Sequence, residues 1–68
     1  MNHVYKQIEL TGSSPVSSEE AIKTAINKAS ETVRKIDWFK VTEMRGEVAG
    51  GEIAHWQVTL KVGFRLDS

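Results

Sequence analysis

From Val4 to Thr11 the chain alternates, with Val4, Lys6, Ile8 and Leu10 on one side and Tyr5, Gln7, Glu9 and Thr11 on the other. A period of two rich in β-branched residues predicts a strand with one face toward a core. Gly12-Ser13-Ser14-Pro15 reads as the loop that ends it, because Pro15 lacks an amide donor and Gly12 admits turn dihedrals. This stretch has neither the glycine spacing nor the lysine of a phosphate loop. After Ser17 the period lengthens. Ser17 as N-cap with Glu20 three residues on forms a capping box, and Glu19 and Glu20 suit the positive end of a helix dipole. Ile22, Ile26, Ala29, Val33 and Ile36, flanked by Ala21 and Ala25, make one apolar stripe on about five turns. The pattern predicts one long helix that runs without punctuation into the next strand. Its other face, with Lys23, Asn27, Lys28, Glu31, Arg34 and Lys35, is a solvated surface, with Glu19–Lys23 and Glu31–Lys35 at favourable spacing.

A second strand begins at Asp37-Trp38-Phe39 and reaches Arg45-Gly46-Glu47-Val48, where Gly50-Gly51 turns the chain back. The third strand places Ala54, Trp56, Val58, Leu60, Val62, Phe64 and Leu66 on one face and His55, Gln57, Thr59, Lys61, Gly63 and Arg65 on the other. It spans ~43 Å against ~28 Å for the helix. Its far end, Gly63 to Leu66, is therefore expected to pack on a neighbouring subunit. The order is β-α-β-β in an α+β fold. The crossover helix makes the first two strands parallel, the hairpin makes the third antiparallel, and the apolar third strand belongs at the centre. One helix covers one face of this three-stranded sheet, and the polar face with Tyr5, Gln7, Gln57, Thr59 and Lys61 is left for water or a second subunit.

The 68 residues form a single domain, 1–68. A chain of this size buries only about 60% of the surface its unfolded form exposes. Burial and chain entropy then nearly cancel, so a partner must help. Without cysteine there are no disulfides or thiolate metal sites, and His3 and His55 lack ligand spacing, so no metal is expected. Oligomerisation or a bound ligand remains. Nine basic residues balance nine acidic ones in an interspersed pattern, which argues against nucleic acid. No run approaches the ~20 apolar residues of a membrane span, and no leader precedes the first strand, so the expected location is cytoplasmic.

Trp38 stands at the hinge between helix and strand. On periodicity alone its ring closes the bottom of the core under the helix. The alternative leaves its face free to stack on a planar partner. Gln57, on the same grounds, is an ordinary solvated strand residue.

As an ordered set, Asp37-Trp38-Phe39 after a capped helix, Arg45-Gly46, a glycine hairpin, His55-Trp56-Gln57-Val58-Thr59 and Lys61-Val62-Gly63-Phe64-Arg65-Leu66 resemble the dodecins over essentially the whole chain. The resemblance implies a hollow homo-dodecamer of βαββ subunits. It also implies flavin pairs stacked between symmetry-related tryptophans at two-fold axes. Trp38 matches the stacking tryptophan, Gln57 the glutamine at the flavin ring edge, and Arg45 a basic position near the ligand in bacterial members. The chemistry agrees: a carboxamide carries the donor and acceptor that the alternating edge of a flavin needs. Trp56 departs from the phenylalanine or tyrosine associated with its position, and on the apolar face it reads as core. The implied ligand is flavin mononucleotide (FMN) or riboflavin. Coenzyme A is a further candidate, and His55 and Arg65 are candidates for ligand phosphate or a subunit interface. The implied role is to store or sequester flavin and quench its photochemistry, without catalysis. A flavin stacked on both sides offers no face to a substrate, and the chain has no nucleophile beside a base. The alternatives are a ligand-free structural shell and a small oligomeric enzyme of the tautomerase type. The latter uses an amino-terminal proline, whereas this chain begins Met1-Asn2.

Overall fold

The computed structural model describes residues 2–66; Met1, Asp67 and Ser68, at the ends of the expected unit, lie outside the described residues. Four elements follow in order: β1 (Tyr5–Ser14), α1 (Ser18–Ala29), β2 (Ile36–Ala49) and β3 (Glu52–Arg65). The sheet order is β1-β3-β2, and both outer strands run antiparallel to β3. The two outer strands thus run parallel to each other with the most apolar strand between them, as the pattern of the sequence requires. At the hairpin, Gly50 and Gly51 have φ of 60° and 78°. Two consecutive positive φ values make the tight turn whose twist suits antiparallel strands.

The core is thin. Val58, Leu60 and Val62 on β3 are wholly buried under Ala21, Ala25 and Ala29 of α1, with Ile8, Leu10, Ile22, Ile26 and Ile36 packed around them. The alanines recur every four residues, so the helix presents a smooth stripe and sits close to the sheet. Ser17 caps the start of α1 as expected, its Oγ accepting from the Glu20 amide at 3.0 Å.

Three expectations are corrected. First, β1 does not stop at Gly12: Gly12, Ser13 and Ser14 pair with Val58, Gln57 and Trp56. Gly12 serves packing here. A Cβ at this position would collide with the Ala21 carbonyl and lie 3.0 Å from the Ala25 Cβ. The buried Ser14 then starts the turn, its Oγ accepting from the Val16 amide at 3.0 Å. Second, α1 ends at Ala29, so Val33 and Ile36 lie beyond the helix. The Ser30 amide and hydroxyl both donate to the Ile26 carbonyl, at 2.9 and 2.8 Å, and the Thr32 and Val33 amides both turn in to the Ala29 carbonyl. Branched Thr32, Val33 and Ile36 are poor helix formers, and Lys35 takes the left-handed conformation at φ 58° before β2 starts. Glu31 accordingly pairs with Lys28 at 3.4 Å and not with Lys35, while the expected Glu19–Lys23 pair forms at 3.6 Å. Both are exposed and contribute little.

Third, the sheet also overhangs at the hairpin. At the far end of β3, Gly63 is buried beneath the Trp38 ring and Phe64 is half-buried, while Arg65 and Leu66 stay exposed. β1 ends opposite Trp56, so the β2–β3 hairpin continues past both β1 and the helix. Since α1 packs on β1 and β3, the apolar residues on the same side of β2 and at the hairpin stay uncovered, including Phe39, Val41, Met44 and Val48.

The close approach at Gly12 generates a prediction. Gly12→Ala must push the helix outward and should cost ~1–3 kcal/mol, as overpacking does. Urea unfolding checks this, and an unchanged midpoint would mean that the helix is free to shift.

Candidate functional site on the open face of the sheet

Alternation along β3 assigns a face to every residue paired with it. Val58, Leu60 and Val62 point to α1, so Gln57, Thr59, Lys61, Gly63 and Arg65 point away. On β2, Ile36 stands opposite Phe64 on the helix side. Strict alternation would carry Trp38 to that side too. The register instead shifts between Ile36 and Trp38, leaving Asp37 as the extra residue and setting Trp38 opposite Gly63 on the open face. Trp38 therefore does not close the core beneath the helix. Phe39 and Val41 take the inner positions, opposite Val62 and Leu60. A second shift between Val41 and Glu43 restores the parity, so Arg45 faces outward opposite Gln57. The extra residue there, Thr42, donates its hydroxyl to the Thr59 carbonyl at 3.2 Å.

Trp38 lies flat on β3. A Cβ at Gly63 would fall inside the indole, against its six-membered ring. Tyr5, which β1 places opposite Arg65, flanks the indole with ring centroids 6.2 Å apart and planes inclined by 55°. The indole thus rests against the Gly63 backbone with a tyrosine beside it, yet Trp38 remains 37% exposed. The other tryptophan, Trp56, pairs with Gly46 and Ser14 on the helix side but is only half-buried and stands outside the core cluster, contrary to the expectation of a core residue.

Gln57 is half-buried between Arg45 of β2 and Ser13 of β1. The Arg45 Nη2 donates to Glu43 Oε1 at 2.7 Å. That hydrogen bond, with the Glu43 charge second, raises the Arg45 pKa above its ordinary value. Between this pair and the tryptophan, Lys40 stands opposite Lys61, and the Thr11 and Thr59 hydroxyls meet at 2.8 Å. Beyond Gln57, His55 Nδ1 lies 2.9 Å from Glu47 Oε1. At the opposite end Arg65 lines a cleft of about 450 Å³ with Arg34 and Lys35.

The fold thus brings Gln57 and Arg45 together and holds Trp38 apart from them. Gly63 and Gln57 are six residues apart on one strand, which is ~20 Å at the strand rise. Residues that the sequence did not connect with these positions are Tyr5 and Gly63 at Trp38 and Glu43 at Arg45. Gly63 carried a signal, since a glycine inside an otherwise regular strand often marks a close approach. Among the described residues no group of three or more His, Cys, Asp or Glu side chains is placed to hold a metal ion, and no helix is long and apolar enough to cross a membrane.

The architecture is an α+β subunit, β-α-β-β, with one helix on one face of an antiparallel sheet. The family model for dodecin matches residues 4–67, and the chain belongs to the dodecin family. It is 45% identical over 67 residues to the dodecin of Thermus thermophilus, covering 98% of this chain and 97% of that one. Among solved structures it is similar to dodecin from Streptomyces davaonensis, at 51% identity over the whole of both chains with a TM-score of 0.91. Dodecin from Streptomyces coelicolor is 49% identical over 98% of this chain and 96% of that chain, with a TM-score of 0.91.

Placement of Trp38 outside the core has a direct consequence. Trp38→Ala should lower stability by clearly less than the ~2–5 kcal/mol expected for Leu60→Ala under the helix. Thermal unfolding of the two variants makes the comparison, and equal losses would contradict the placement.

Proposed function

We propose that this dodecin is a flavin-binding protein that holds FMN in store and quenches its photochemistry, in a shell of twelve chains in the cytoplasm. The observation that carries the reading is the Trp38 indole, fixed on the open face with one side on the Gly63 backbone and part of its surface free. A flat aromatic ligand stacks on such a surface, and by analogy with nucleobases one stack is worth ~1–3 kcal/mol. Since one side of the ring is closed, each chain accepts one ring. Gln57 supplies the donor and acceptor for the edge of the flavin. Because Gln57 lies ~20 Å along the strand from the ring, a flavin touching both takes them from different chains. Two-fold pairing reverses one chain against the other and brings the tryptophan end of one toward the Gln57 end of its partner. The cations of the open face, Arg45, Lys40 and Lys61, favour a phosphorylated flavin over riboflavin. The basic cleft at Arg65 is the place for a second phosphorylated ligand such as coenzyme A.

The reading is a binding protein and not an enzyme. An indole is an electron-rich neighbour that returns an excited flavin to its ground state, and a ring enclosed by stacking has no face left for a substrate. The uncovered Phe39, Val41 and Met44 supply the apolar surface that other subunits cover.

Purified protein should be yellow, take up one FMN per chain and sediment as twelve copies of the 7.6 kDa chain. Gln57→Ala should sediment identically and bind FMN with a loss of ~1–3 kcal/mol, the cost of leaving paired polar groups unmatched. A colourless protein that assembles but takes up no added flavin would favour the ligand-free shell. Unchanged affinity in Gln57→Ala would leave Gln57 as a surface strand residue.

A further inference from the structure

We propose that Gly63 is the positioning residue of the Trp38 platform: the absence of a side chain at this one site sets the depth and tilt of the indole. The inference rests on the flavin reading only for its functional consequence.

Positive φ values occur at Gly50 and Gly51, whereas Gly63 has an ordinary strand backbone that any residue adopts. The inner face does not require it either, because Gly63 points away from α1 between buried Val62 and half-buried Phe64. What requires it is the ring. The three atoms nearest to a Cβ at this position all belong to the Trp38 indole, and all lie closer than side-chain atoms ever approach. They belong to a rigid fused ring on a bulged stretch of β2, so the indole cannot fold aside as a lysine tip would. Tyr5 of β1, its ring centroid 6.2 Å from that of the indole, limits escape toward β1. A methyl group at position 63 therefore lifts and tilts the platform. Gly46 is a control in the same sheet, since a Cβ there meets nothing nearer than 3.4 Å.

The test is made on full-length protein carrying Trp56→Phe, so that Trp38 is the sole tryptophan. Gly63→Ala should shift the Trp38 emission to the red and weaken FMN binding at least tenfold, and any FMN still bound should fluoresce more strongly. Gly46→Ala should leave all three unchanged. Gly63→Ala with unaltered emission and affinity overturns the inference. If Gly63→Ala alone unfolds, a mutant cycle decides, because a residue acting through the ring does no harm once the ring is gone. In a Trp38→Ala background Gly63→Ala should produce no further drop in melting temperature, and an equal drop in both backgrounds overturns the inference. Wild-type protein that takes up no FMN, with the emission shift and the cycle as expected, supports the seating of Trp38 and removes only the flavin reading.

Discussion

The central strand pairs on both edges, and its alternation decides which side of the molecule each neighbouring residue faces. Shifting a partner strand by one residue exchanges its two faces. β2 makes that exchange at Asp37 and reverses it at Thr42. Within the interval Phe39 and Val41 face the helix side and Trp38 and Lys40 face out. A regular β2 would have turned the indole to the helix side and set Phe39 on the open face in its place. The bulge decides which aromatic side chain of β2 the open face carries.

Close contact between elements follows from small residues on each side of the sheet. Ala21, Ala25 and Ala29 with Gly12 let the helix lie against β1 and β3. Gly63 lets an indole lie against β3 from the other side. The consequence is a thin core that covers only part of a long sheet. The hairpin and the inner side of β2 stay apolar and exposed, which is the arrangement of a chain that completes its packing in an assembly.

Much of the fold was legible because its signals are local. Alternation marked the first and third strands, Ser17 and Glu20 marked the start of the helix, and Gly50-Gly51 marked the hairpin. The end of the helix was not legible. Val33 and Ile36 continue its apolar period, and the back-bonding of Ser30 to Ile26 that stops it is a tertiary choice among allowed conformations. Gly12 looked like punctuation, because a glycine needed for packing and one needed for a turn read alike. For Trp38 the strand pattern pointed into the core, and only family resemblance pointed to the open face. A bulge has no periodic signature, so parity counted from the neighbouring residues misassigns the ring. Gln57 and Arg45 were each named, but their direct opposition depends on the second bulge and needed the register.

The claim on which the account depends is that the exposed side of Trp38 is where a flavin ring lies. Steady-state emission of the Trp56→Phe protein during titration with FMN tests it most directly. Trp38 and flavin emission should be quenched together and reach their end point at one FMN per chain. Uptake of FMN with Trp38 emission undisturbed would place the ligand elsewhere and contradict the account.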